Sequence, residues 1–274
     1  MLSRGPPWQD DRVTDGNPDD LVLLDLDAGV ATVTLNRPEA RNALSTALRR
    51  RLQSVMAEVD ADESVSVVIL TGSDPAFCAG LDLKELSARG RLDGDAEDAG
   101  IRGLPWAPLK KPLIGAVNGV AVTGGFELAL NCDFLIASER AAFADTHARV
   151  GILPGWGLSV LLPQRVGFAM ARRMSFTGDF LPAQRAFECG LVTEVVPHEE
   201  LLPAARRAAA AIVSNNKPAV EALLASYRRI ESAAAGEGMS LETEASRAWT
   251  RSGGTEGIAE RVGGVFERGR SQMK

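Results

Sequence analysis

The stretch IGAVNGVAVTGGFELALNCD, residues 114–133, joins an apolar run to a helix through a string of glycines. The run begins at Pro112 and ends at Val117, and its unbroken aliphatic character is that of a strand covered on both faces. Residues 119–125 read as a Gly-rich turn, and Gly125 to Asn131 as a helix with Glu127 in its first turn. A strand–glycine–helix junction leaves N–H donors unpaired at the helix start, where the helix dipole also favours negative charge. The segment FCAGLDLKEL, residues 77–86, has the same plan, since it follows a short apolar strand at Val65–Leu70 and leads into a helical stretch over 81–88. One such junction is merely a tight turn that glycine permits. Two that face one another can cradle a single oxyanion.

Outward from these junctions the chain is a succession of short strands and helices. Leu21–Asp27 and Val30–Asn36 flank Ala28-Gly29 and predict a β-hairpin. Ser45 is placed to cap a helix running to about Asp60. Strands are expected at Phe134–Ala137 and Val192–Val196, and residues 90–98 form a polar, Gly-containing loop. Beyond residue 198 the pattern is helical and rich in Ala, Arg and Glu. There the apolar positions Ile212, Leu223, Leu224, Ile258, Val262 and Phe266 recur among charges, as an assembly surface would. The expected organisation is a disordered leader over 1–19, an α/β core over 20–197 and a helical oligomerisation segment over 198–274.

Composition narrows the function. The 274 residues are 45% hydrophobic and 24% charged, the balance of a globular chain. No apolar run approaches the roughly 20 residues needed to cross a bilayer, and the leader has no apolar core of a signal peptide. A net charge of -6 argues against a nucleic-acid partner. Cys78, Cys132 and Cys189 form no CxxC pair and suit a reducing cytoplasm, the compartment expected here. His147 and His198 are too isolated for a zinc site, so no metal is expected. Neither a GxGxxG nor a GxxxxGK[ST] loop occurs, which removes the signatures of dinucleotide binding and nucleotide hydrolysis.

Taken together, residues 77–86 and 114–133 resemble the two signatures of the enoyl-CoA hydratase/isomerase (crotonase) family. LNRPEARNAL at 35–44, FTGD at 176–179 and residues 186–196 extend the likeness in order along the chain. The resemblance implies a spiral of β-β-α units with a helical C-terminal segment, assembled as a homotrimer or a dimer of trimers. It implies an acyl-CoA thioester substrate, with coenzyme A part of that substrate and no separate cofactor. The backbone N–H groups of Leu81 and Gly124 would hold the thioester oxygen, and Glu127 matches one of two catalytic glutamates. Counting along the chain, the second glutamate is replaced by His147, whose ordinary pKa of about 6.5 suits either an acid/base or a pocket-lining role. Asp145, two residues away, reads as a solvated surface carboxylate, with a substitute acid as the alternative. Candidate contacts for the substrate and its coenzyme A are Arg37, Ala40, Arg41, Ala79, Leu81, Asp82, Leu83, Lys84, Gly124 and Trp156; Trp156, which replaces a smaller Gly-rich run of typical hydratases, reads either as core packing or as narrowing the acyl pocket. The three cations are candidates for phosphate contacts. The implied reaction is reversible hydration of a 2-enoyl-CoA. The alternatives are a double-bond isomerase, another crotonase-type lyase or hydrolase, and, from a different class, an RNA-binding homologue. For the last, the sole basic run is Arg49-Arg50-Arg51.

Overall fold

The computed structural model describes residues 21–85 and 104–272. The expected leader, the 90–98 loop and the end of the helical stretch over 81–88, residues 86–88, lie outside the described residues. The hairpin forms as β1 (Val22–Asp27) and β2 (Val30–Leu35), paired antiparallel. Its two turn residues both take positive φ, Ala28 at 47° and Gly29 at 82°, the twist that a two-residue hairpin loop requires. Ser45 then caps α1 (Thr46–Ala61) by accepting from Leu48 N at 3.2 Å.

The next segments alternate between two sheets. β3 (Val67–Gly72), β5 (Leu113–Val117), β7 (Phe134–Ser138) and β10 (Glu194–Val196) join the hairpin in a six-stranded sheet ordered β1-β2-β3-β5-β7-β10. All its pairings beyond the hairpin are parallel. β4 (Ala76–Cys78), β6 (Val120–Val122), β8 (Ala142–Ala144) and β9 (Leu181–Pro182) form a second, four-stranded sheet. That smaller sheet was not legible in the sequence, because strands of two or three residues are too short to show a period. The helices α2 (Gly124–Leu130), α3 (His147–Val150) and α4 (Leu158–Thr177, broken at Gly167) follow β6 and β8. Each turn of the spiral therefore carries the chain from a long strand to a short one and then into a helix.

Pleating divides the core. Val68 and Leu70 of β3 point into the interior with Leu48, Phe77, Val117, Phe126 and Phe143. Val67 and Ile69 point the other way, with Ile114 and Ile136, against Ala204, Ala205 and Ala209 of α6 (Leu201–Val213), which follows α5 (Ala183–Glu188). The parallel strands are thus covered on both faces, as their uninterrupted aliphatic runs require.

Three further helices, α7 (Lys217–Ala235), α8 (Gly238–Arg251) and α9 (Ile258–Gln272), complete the chain. The expectation of a continuous partner-facing stripe is corrected here. Ile212 packs against the sheet and Ile258 is buried with Val150 and Ile152 of the same chain. Leu223 and Phe266 remain exposed, Leu224 is half-buried, and the Val262 side chain lies outside the described residues. The helices α8 and α9 fold back on residues 150–159, where Trp249 Nε1 donates to Gly151 O and Arg261 Nε to Val150 O, both at 2.9 Å. Among the described residues, no helix is long and apolar enough to cross a membrane.

One buried side chain ties the 35–44 segment to the β3–β4 turn. Asn42 accepts from Arg37 N at 2.8 Å and donates to Ser73 O at 2.8 Å and Ala76 O at 2.7 Å. It does so from a left-handed backbone at φ 56°, which asparagine tolerates better than most residues. Asn42→Ala removes these three bonds and should lower unfolding free energy by about 3 kcal/mol, at about 1 kcal/mol per bond. A denaturant midpoint unchanged at constant slope would contradict that role for Asn42.

Candidate active site

The two glycine junctions meet. Gly80, at φ 89°, sits so close to the start of α2 that a Cβ on it would lie 2.7 Å from Val122 O and 3.5 Å from Gly124 N. Behind it, a Cβ on Gly125 would collide with Cys78 O at 2.2 Å, so α2 can approach β4 only where a side chain is missing. Thr123 turns the corner with φ 53° and ψ −116°, a backbone that a non-glycine residue adopts at a cost of order 1–3 kcal/mol. Its N–H donates to Ala144 O at 2.9 Å and its hydroxyl bonds the Thr146 hydroxyl at 2.6 Å, which holds the strained corner in place. On the other side, Leu44 N donates to Gly80 O at 2.7 Å and Asp82 N to Leu44 O at 3.3 Å. In this parallel bridge the N–H of the intervening Leu81 points away from Leu44. Among the described residues, neither Leu81 N nor Gly124 N donates to a protein acceptor. Two adjacent backbone donors are therefore left for an oxygen atom from outside the chain.

Beyond Gly124, one turn of α2 brings in Glu127, 3% exposed. Its Oε1 accepts from Gly155 N at 3.1 Å and Trp156 N at 2.7 Å, and its Oε2 lies 3.5 Å from His147 Nε2. Asn131 braces this loop by donating to both Glu127 O and Trp156 O. His147, 4% exposed, stands at the start of α3, with Nδ1 2.6 Å from Asp145 Oδ1. Asp145 is itself 2% exposed and also accepts from His147 N, so the expectation of a solvated surface carboxylate is overturned. Burial works against the charged imidazole. Hydrogen bonds to Asp145 and Glu127, together with their charges, outweigh it and push His147 up to about 10. For Asp145 burial likewise opposes the ionised form, and the bond to His147 more than compensates, holding it below the usual carboxylate range. His147 is thus held as an imidazolium between Asp145 and Glu127, in a buried row of three ionisable groups. The row offers one fixed proton donor at His147 Nε2 beside one carboxylate, Glu127.

The family model described as Enoyl-CoA hydratase/isomerase matches residues 25–262. The chain belongs to the enoyl-CoA hydratase/isomerase family. It is 45% identical over 190 residues to the Arabidopsis thaliana protein named "Probable enoyl-CoA hydratase 1, peroxisomal", covering 69% of this chain and 71% of that one. It is 37% identical over 227 residues to a crotonyl-CoA hydratase of Syntrophomonas wolfei, covering 81% and 84%. Among solved structures, an enoyl-CoA hydratase from Mycobacterium tuberculosis H37Rv superposes with a TM-score of 0.78 at 57% identity, covering 84% of this chain and 99% of that one. The crotonase spiral and the enzyme class expected from the two signatures are those of these relatives.

Within this crotonase-family site, the other residues singled out in the sequence divide into two groups. Arg37 is corrected as a phosphate contact, because its guanidinium is buried and donates to Ala43 O at 2.6 Å and Asp82 Oδ2 at 3.1 Å. Asp82 is committed as well, since its other oxygen accepts from Lys84 N and Glu85 N and caps the turn that begins at Leu83. Arg41 and Lys84 are exposed, and Ala40 and Ala79 are half-buried beside them, with Ala79 N donating to Arg41 O. Leu81 and Leu83 pack against Val150, Ile152 and Ile258. The Trp156 ring reaches over Gly124, where an added Cβ would meet it at 3.7 Å. Cys78 is wholly buried, and burial pushes its thiol up to about 12, so it is packing rather than a nucleophile.

The raised pKa of His147 has a stability consequence of definite sign. A group whose folded pKa lies above its unfolded value of 6.5 stabilises the fold fully below pH 6.5 and loses that contribution as pH rises through about 10. Denaturant midpoints measured from pH 6 to 10 should therefore fall in the wild type and fall less in His147→Gln. Identical profiles for the two proteins would reject a charged His147.

Proposed function

We propose that this chain hydrates 2-enoyl-CoA thioesters reversibly, with Leu81 N–H and Gly124 N–H holding the thioester oxygen. The observation that carries this reading is the buried Glu127–His147 pair, 3.5 Å apart and adjacent to the two unpaired donors. Water addition needs a base for the water and an acid for the substrate α-carbon, and this pair supplies one of each. The thioester oxygen gains negative charge as water attacks the β-carbon, and a preorganised donor aimed at such an oxygen is typically worth about 3 kcal/mol of barrier. Glu127 takes a proton from the attacking water, and His147 Nε2 gives its proton to the α-carbon. A proton then passes from Glu127 to His147 across the gap and restores both groups. Asp145 keeps the imidazole charged and oriented. Coenzyme A belongs to the substrate, and no step calls for a separate cofactor or metal.

A double-bond isomerase needs a single group to shuttle one proton, so the cationic partner at His147 favours hydration. With 2-enoyl- and 3-enoyl-CoA substrates of several lengths, the wild type should form 3-hydroxyacyl-CoA from the former. Glu127→Gln should lose about 10²- to 10⁴-fold in kcat, the usual contribution of an acid/base group. Near-wild-type turnover by that variant, or isomerisation alone by the wild type, would defeat the proposal.

We also propose assembly as a homotrimer or a dimer of trimers. Support comes from Leu223, Tyr227 and Ile230 of α7, which are 59%, 64% and 63% exposed and spaced to share one helix face. Sedimentation should show a trimer or hexamer at micromolar concentration, and a stable monomer would overturn the assignment.

A further inference from the structure

The loop between α3 and α4 is held between two buried carboxylates. From one side Gly155 N and Trp156 N donate to Glu127. From the other, Gly157 N donates to Glu242 Oε1 and Ser159 N to Glu242 Oε2, each at 2.5 Å. The N–H vectors reverse at Gly157, whose φ of 93° places it in the left-handed region. Glu242 comes from α8, far along the chain, and is the one residue of that helix that is buried. Among the described residues no basic side chain pairs with it. Burial and the nearby Glu127 push its carboxyl up from the usual range, and the two N–H groups at the start of α4, with that helix's dipole, oppose that shift. Leaving a carboxylate in the interior without a cation is unfavourable, and a helix cap of similar strength is available from an exposed Ser or Asp. The surroundings repeat the pattern, because α8 runs along the same loop. A Cβ on Gly157 would meet Met239 Cε at 2.7 Å, Ser246 Oγ donates to Leu153 O at 3.4 Å, and Trp249 Nε1 donates to Gly151 O.

We infer that Glu242 is a positioning residue for the hydration reaction, holding residues 155–159 so that two backbone N–H groups fix the Glu127 carboxylate opposite His147. On this account the C-terminal segment does more than assemble subunits, since it completes the geometry of the catalytic base within its own chain. The inference rests on the hydratase reading proposed above. Glu242 itself touches no substrate. Its effect passes through the loop, from the two N–H bonds that Glu242 accepts to the two that Glu127 accepts, so it should act on turnover rather than on affinity. The pH profile should also respond, because Glu242 lies beside Glu127 as a like charge as well as holding the loop that supplies its donors.

The test compares wild type, Glu242→Ala and Glu242→Gln as full chains, using 2-butenoyl-CoA, with kcat and KM across pH and amide hydrogen exchange. In Glu242→Ala, kcat should fall by about 10- to 100-fold, the loss that a small misplacement of a catalytic group produces, with KM changed by less than about threefold. The acidic limb of the kcat profile should shift. Exchange should quicken at residues 155–159 and stay unchanged at 113–117. Glu242→Gln retains one acceptor oxygen, so it should fall between the other two and supplies the answer if Glu242→Ala does not fold. Unchanged exchange at 155–159 would overturn the inference. So would wild-type kcat and pH profile in variants that only melt at lower temperature. If the wild type hydrates nothing, the reaction assignment fails on its own, while the exchange data still decide whether Glu242 holds the loop.

Discussion

Every feature of the candidate site depends on one steric constraint, the close approach of α2 to the strand end at Cys78–Gly80. Side chains at Gly80 and Gly125 would collide with the Val122 and Cys78 carbonyl oxygens, so the approach exists only because both positions lack a Cβ. The approach has two consequences. It sets two backbone N–H groups side by side with no protein acceptor, and it drives Thr123 into a left-handed corner that points α2, with Glu127 on its first turn, into the interior. The strain at Thr123 is local. The bonds that hold it, to Ala144 O and the Thr146 hydroxyl, come from the segment that also carries Asp145 and His147. The corner that creates the donors and the loop that supplies the acid are therefore mechanically one unit.

Electrostatics then sorts the roles. Three ionisable groups are buried in a row, and the central one is the only cation. Burial alone would discharge His147, yet two flanking carboxylates keep it protonated. A site with two carboxyl groups must leave one of them protonated to serve as acid and the other ionised to serve as base. In the proposed reaction, replacing one by an imidazole held between carboxylates removes that ambiguity, because the cation would be the donor. The Asp145 contact is what makes the replacement workable, since an isolated buried imidazole would be neutral.

The substrate-facing rim is less committed than the interior. Arg37 and Asp82 neutralise each other in the wall and hold the 35–44 segment against the turn that presents Leu81. Arg41 and Lys84 stand exposed beside them, in a chain whose overall charge is negative. Trp156 donates its backbone N–H to Glu127 while its ring overhangs Gly124. The same residue thus links base position to pocket shape.

By itself the sequence determined the features that arise within a few residues. These are the hairpin around Ala28-Gly29, the Ser45 cap, the buried parallel strands, both glycine junctions, and Glu127 one turn into a helix. Capping, turn conformation and hydrophobic period are local, and they survive in a linear reading. The tertiary structure alone decided the second sheet, whose strands are too short to carry a period, and the inward pairing of Arg37 with Asp82, 45 residues away. It also decided the burial of Asp145, which becomes internal only where His147 of α3 and Ser175 of α4 pack against it. Glu242 is the clearest case. Nothing near it in an otherwise exposed helix distinguishes it from a surface glutamate, and its role depends on N–H groups 83 and 85 residues upstream. Hydrogen bonds formed across such distances depend on how the spiral stacks, and that packing has no counterpart in local sequence pattern.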